Sequence, residues 1–116
     1  MRYSENQLND LVSSDPKELV RILISPDVDV KTLTCGVEIL GGEVSDEELT
    51  YPVFRKLLRH MNASVREGAM SGVAAFFTNK KPPRDILDRL RVMSVSDPSP
   101  TNKECAKILL DNLESQ

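Results

Sequence analysis

The side chains able to carry out catalysis are few in this 116-residue chain. It holds one histidine, His60, and two cysteines, Cys35 and Cys105. A histidine that acts as a general base needs a nucleophile within reach and a partner that orients its ring. No Ser or Cys can be paired with His60 from the sequence, and His60 stands at the end of a predicted helix. The sequence therefore predicts no catalytic residue and no enzymatic activity.

Signatures of metal and cofactor binding are also missing from the sequence. The two cysteines lie far apart and form neither a zinc signature nor a disulfide framework, so both are predicted to be free thiols. The acidic run Asp46–Glu48 stands at a predicted helix start, where carboxylates complement the helix dipole, and it lacks EF-hand spacing. The glycines fit no phosphate-binding motif; they are Gly36, Gly41, Gly42, Gly68 and Gly72. We therefore expect no metal and no cofactor.

Charge is unevenly distributed along the chain, whose formal net charge is −3. Residues 1–51 hold 4 basic and 11 acidic side chains, and residues 52–93 hold 9 basic and 3 acidic ones. Residues 94–116 hold 2 basic and 4 acidic side chains. An acidic end beside a basic middle produces a field that can steer a charged partner. The basic block is either a solvated face or a docking surface for an acidic partner or a phosphate backbone.

Start and stop signals divide the first half of the chain into helices. Ser4–Gln7 is a capping box that predicts an N-terminal helix, and Asp15–Glu18 combines a cap, a proline at the first helical position and an acid in the first turn. Ser25–Pro26 ends that second helix. Asp27 or Asp29 then caps a third helix, and the pair Gly41–Gly42 predicts its end.

The second half shows the same kinds of signal. Ser45–Glu48 is a capping box, and Pro52 leaves either one kinked helix or a turn before a helix whose buried face is Phe54, Leu57, Leu58 and Met61. Asn62 or Ser64 caps the next helix, and Asn79–Pro83 is a linker. The last two helices join at Asp97–Pro100, and the first of them has an apolar face of Ile86, Leu87, Leu90 and Met93. No segment alternates with period two, so the sequence predicts an all-α fold of seven helices.

Four positions of one segment recur along the chain. In the middle they are Ala69, Gly72, Val73 and Phe76, which are spaced by three and four and so share one helical face. The same positions recur as Leu33, Gly36, Val37 and Leu40, and again as Ala106, Leu109, Leu110 and Leu113. The offsets of 36 and 37 residues lie in the range of repeat arrays. The sequence therefore predicts three helix pairs built on one template.

The segment that begins with Val65-Arg66 and continues with small and apolar residues resembles the second helix of a HEAT repeat. The resemblance implies a short α-solenoid of about three antiparallel HEAT-like helix pairs, with the N-terminal helix as a capping helix. It covers about residues 16–114. The Val-Arg pair becomes Val30-Lys31 in the first repeat and Thr101-Asn102 in the third, which departs from the family's pattern.

The HEAT resemblance implies protein binding as an adaptor, a regulatory subunit or a small inhibitor. In that family the second helices line the concave face, where partners bind. Carried over by position, the partner-binding residues are Thr34, Glu38, Arg66, Met70, Lys103 and Lys107, with Cys35 and Ala74 beside them. Rigid stacked helices offer a preorganised surface that needs little ordering on binding.

The alternative is binding of a nucleic acid or phosphate backbone through a basic ridge on the first helices. Arg55, Lys56 and Arg59 lie on the solvent side of one helix, and Arg91 stands 36 residues beyond Arg55, which places it at the same repeat position. A phosphate backbone is recognised by such cations. Against this alternative stand the pI near 5.2 and the lack of aromatic residues placed for base stacking.

Length and hydropathy bound the remaining predictions. At 116 residues the chain is predicted to form a single domain, residues 1–116. No apolar run approaches the roughly 18–20 residues needed to span a bilayer, and the N-terminal residues lack the apolar region of a signal peptide. We therefore expect a cytoplasmic protein without a membrane partner. The oligomeric state stays open, because the apolar end of the last helix is either self-capped or forms a homodimer.

Overall fold

The computed structural model describes residues 2–115, which form seven α-helices and no strand. The helices are α1 (Glu5–Ser14), α2 (Pro16–Leu23), α3 (Val30–Glu43), α4 (Glu47–Leu57), α5 (Ala63–Phe76), α6 (Arg84–Ser96) and α7 (Pro100–Glu114). The predicted all-α fold and its helix number are confirmed. The chain divides into two compact units, unit 1 (Met1–Phe76) and unit 2 (Phe77–Gln116). That both belong to one domain stays a prediction.

Side-chain caps begin the first three helices of unit 1 at predicted residues. The Ser4 hydroxyl accepts from the N–H of Gln7, and the Gln7 side chain accepts from the N–H of Ser4, which completes the capping box. Asp15 caps α2 ahead of Pro16. Asp29, one of the two predicted candidates, accepts from both the N–H and the hydroxyl of Thr32 at the start of α3.

The prediction that Gly41–Gly42 ends the third helix is wrong. Helix α3 continues through both residues to Glu43, and no glycine of the chain has a positive φ. The extended backbone of Val44 ends the helix after Glu43. Gly41 has a packing role, because a Cβ placed there would lie 2.2 Å from the carbonyl oxygen of Gly72.

Helices α3 and α5 form the tightest contact of unit 1. Gly68 packs against the backbone of Thr34, and Gly72 packs against the backbone of Val37 and against Gly41. Because later residues of α3 meet later residues of α5, the two helices run in the same direction. The spacing of Gly68 and Gly72 by four residues places both on the side of α5 that packs against α3.

Helix α4 is a single helix that continues across Pro52. Pro52 has no N–H to donate within the helix. Because Pro52 is exposed, the missing hydrogen bond lies on the solvent side of α4. Asp46 caps α4 rather than Ser45. The predicted buried residues Phe54, Leu57 and Leu58 are in the core, whereas Met61 lies in the turn beyond the helix and is 92% exposed.

Unit 2 consists of α6 and α7, joined by a short turn. The predicted apolar face of α6 is confirmed, since Ile86, Leu87, Leu90 and Met93 are buried. Helix α7 contributes Ala106, Leu109 and Leu113 to the buried set. The Ser99 hydroxyl caps α7 by accepting from the N–H of Asn102, and the carboxylate of Asp97 accepts from the N–H of Ser99.

Each helix within residues 2–115 is too short or too polar to cross a bilayer.

Candidate partner-binding surfaces

Two residues of the predicted partner-binding face are inside the fold. Arg66 is 6% exposed and Met70 is 4% exposed, so the prediction that they line an accessible face is wrong. The cause is that α5 is covered on more than one side, with buried residues Val65, Arg66, Gly68, Ala69, Met70, Gly72, Val73 and Phe76. A helix that is apolar around most of its circumference is buried on most sides. The α5 sequence has this pattern, which the prediction of a single buried face overlooked.

Arg66 holds the turn that leads from α4 into α5. Its Nη1 donates to the carbonyl oxygen of His60 at 2.9 Å and to that of Met61 at 3.0 Å. Both carbonyls follow the end of α4, where backbone acceptors have no partner within the helix. A nearly buried cation therefore fixes the backbone of an exposed turn, a role that the sequence did not reveal.

The predicted face in unit 1 contains one acid, Glu38, which lies near acids of two other helices. Glu38 of α3 is exposed, and its pKa is raised above the ordinary range by partial burial, then by the charge of Glu67 on α5 and by that of Glu5 on α1. Three helices thus bring carboxylates together, and we call Glu5, Glu38 and Glu67 the acidic face. Thr34 is half-buried, and its hydroxyl donates to the carbonyl of Val30.

The remaining positions of the predicted face differ in accessibility. Cys35 is half-buried and Ala74 is exposed in unit 1. In unit 2, Lys103 is half-buried and Lys107 is exposed. The prediction that Lys103 and Lys107 continue the face of unit 1 stays a prediction, and neither cysteine forms a disulfide.

The basic ridge consists of exposed cations, as predicted, but several of them already make contacts in the fold. Arg55 lies over the ring of Tyr51, with its guanidinium carbon 5.5 Å from the ring centroid. The Lys56 ammonium donates to the carbonyl of Ile24, just beyond α2. Arg91 forms ion pairs with Asp88 at 2.6 Å and with Glu114 at 2.9 Å.

These contacts reduce the number of cations in the ridge that are available to bind a phosphate backbone. Arg91 is balanced by two carboxylates, and Lys56 is tied to a backbone carbonyl. Arg59 is exposed, and its backbone N–H donates to the carbonyl of Lys56. The joining of Arg91 in unit 2 with the cations of α4 in unit 1 stays a prediction.

His60 is half-buried in the same turn that Arg66 holds. Its Nδ1 accepts from the N–H of Asn62 at 3.0 Å, and Oδ1 of Asn62 accepts from the N–H groups of Ser64 and Val65 to cap α5. Burial lowers the pKa of His60 below its usual range, and the cations Arg66 and Lys56 lower it further. A neutral imidazole that accepts a backbone hydrogen bond is therefore the form suited to this turn.

An open cleft of about 530 Å³ lies where the N-terminal segment meets the start of α3. Arg2 and Lys31 line it together with Glu5 and Asp29, so charges of both signs balance there, and Cys35 also lines it. Among residues 2–115, no group of three or more His, Cys, Asp or Glu side chains is placed to hold a metal ion.

Comparison of the chain with protein-family models, with curated proteins and with solved structures finds no match.

Proposed function

We propose that this protein is an interaction module built as a short HEAT-like α-solenoid, and that its acidic face binds a basic segment of a protein partner. The repeat offsets of the sequence and the parallel packing of α3 against α5 support the architecture, because second helices of successive repeats run in the same direction. An adaptor, a regulatory subunit or an inhibitor would use such a surface.

One observation supports the choice of surface, namely that Glu38 of α3 lies near Glu67 of α5 and Glu5 of α1. Partial burial raises the pKa of Glu38, and the charges of these two neighbours raise it further. Mutual repulsion of these carboxylates is unfavourable in the free protein. A lysine or arginine of a partner placed among them would replace that repulsion with attraction. Backbone contact between α3 and α5 fixes the spacing of Glu38 and Glu67, so that the face is already formed before binding.

The test is capture of partners by the tagged protein from nuclease-treated lysate of the cells that express it. The variant Glu38→Lys/Glu67→Lys reverses the face, and Glu43→Lys/Glu104→Lys makes the same charge change at two other exposed acids. We expect a stoichiometric protein on the wild-type chain and on the control, and its loss from the face variant at unchanged far-UV circular dichroism. Equal capture by both variants would disprove binding at the acidic face.

A further inference from the structure

We propose a second docking surface on unit 1, at the turns that follow α2 and α4, which binds a protein segment that carries large apolar side chains next to carboxylates. The surface consists of Ile24, Lys56, Arg59 and Met61, and we call it the turn edge. Its charge is opposite to that of the acidic face. It does not depend on the function proposed above.

Met61 is the centre of the turn edge. Its side chain is 92% exposed, more than any other large apolar side chain that the structure describes. Single exposed apolar residues are common on protein surfaces and carry no meaning alone. What distinguishes Met61 is the order of the backbone that presents it.

The backbone around Met61 is held from both sides. The carbonyls of His60 and Met61 accept from Nη1 of Arg66, which is itself nearly buried. The N–H of Asn62 donates to the His60 ring, and the side chain of Asn62 caps α5. The turn therefore presents an apolar side chain from a fixed backbone, which removes much of the ordering that binding otherwise requires.

The surroundings of Met61 give the chemistry of the partner. Arg59 is exposed two residues earlier, and Lys56 is exposed on the last turn of α4. The ammonium of Lys56 donates to the carbonyl of Ile24, which joins the two turns, and the side chain of Ile24 is 41% exposed. An apolar anchor flanked by cations is complementary to a segment in which large apolar residues stand beside Asp or Glu. Methionine suits such an anchor because it adapts to irregular pockets.

The probe for the turn edge is a displayed library of random twelve-residue peptides, selected on the folded full-length chain and ranked by affinity. We expect selected peptides to combine Asp or Glu with large apolar residues. Met61→Ser should weaken their binding about tenfold or more, because the anchor loses its apolar area, whereas Met61→Leu should retain it. Arg59→Glu should weaken binding, and this effect should shrink with added salt.

Val95→Ser is the matched control, because Val95 is 70% exposed in unit 2 and has no part in the turn edge. The proposal is overturned if selected peptides lack acidic residues or bind Met61→Ser as tightly as the wild type. It is also overturned if Met61→Ser changes the sedimentation coefficient at high protein concentration, since the edge would then join two copies. Binding to phosphatidylserine vesicles that Met61→Ser abolishes would assign the edge to a membrane surface instead.

Discussion

The α3–α5 contact of unit 1 and the α6–α7 contact of unit 2 are built differently. In the first, glycines bring backbone against backbone, and a Cβ on Gly41 would lie 2.2 Å from an oxygen of Gly72. In the second, residues 77–116 contain no glycine, and side chains such as Leu90 and Leu109 are buried on the two helices. The two units thus contain two kinds of helix contact.

The difference concerns what can give way when a residue changes. A contact between side chains can adjust by changing rotamers, at a cost of order 1 kcal/mol for small distortions. A contact between backbones has no rotamer to change, so an added atom must separate the helices. We therefore expect a methyl group added at the α3–α5 contact to lower the free energy of unfolding more than one added at the α6–α7 contact.

The strongest way to break the contact of unit 1 is Gly41→Ala. Its methyl group would meet the backbone of Gly72, and we expect a loss of about 3 kcal/mol or more in the free energy of unfolding. Gly42→Ala is the control, because a Cβ there meets nothing within 4 Å, and it should stabilise the helix by about 0.5–1 kcal/mol. Urea unfolding of both variants measures the difference; similar stabilities would show that the α3–α5 contact can relax.

Replacing Arg66 tests a different support of unit 1, the turn between α4 and α5. Arg66→Met keeps the length of the side chain but leaves the carbonyls of His60 and Met61 without their donor. We expect a loss of about 2 kcal/mol in the free energy of unfolding. Arg59→Met, on the exposed side of the same turn, should change it by less than about 0.5 kcal/mol. Equal effects of the two substitutions would show that Arg66 does not support the turn.

The pH dependence of stability near neutrality should come from the same turn, because the chain has a single histidine. The pKa of His60 is lowered in the folded state, so the unfolded chain takes up the proton more readily as pH falls. The contribution of His60 is present above its ordinary pKa of 6.5 and is lost as pH falls through the lowered folded-state value. His60→Gln should reduce the loss of stability between about pH 7 and pH 5, measured by urea midpoints. An unchanged pH profile would contradict this prediction.

The smallest effect is expected at the surface of unit 2. Arg91 and Glu114 are each nearly half exposed, and solvent screens the ion pair between α6 and α7. Arg91→Gln should lower the melting temperature slightly at low salt and leave it unchanged at 1 M salt. If Arg91→Gln destabilised the protein as much as Gly41→Ala, the α6–α7 contact would not be the more tolerant of the two.

Local signals in the sequence predicted most of the fold. The caps Ser4 and Asp15 and the apolar face of α6 were predicted from residues within a few positions of each other, and the structure has them all. Such features depend on hydrogen bonds and spacing inside one helix. They need no knowledge of which helices meet.

Features that depend on contacts between helices were not predictable in the same way. A Gly-Gly pair is typical of a helix end, yet Gly41 lies inside α3 and allows α5 to pack closely against it. The positions of Arg66 and Met70 were inferred from a helix with one buried face, whereas α5 is covered on several sides. Of the predicted surface in unit 1, Glu38 was placed correctly as an exposed residue, and its acidic neighbours became evident only from the packing of three helices.

The close approach of α3 and α5 also bears on how unit 1 can move. Packed helices commonly slide past one another in small shear motions, which side chains accommodate. Here Gly72 meets both Val37 and Gly41 through backbone atoms. Sliding along the axis would make these backbone atoms collide, because they cannot rotate out of the way. We therefore expect α3 and α5 to move together as one rigid element.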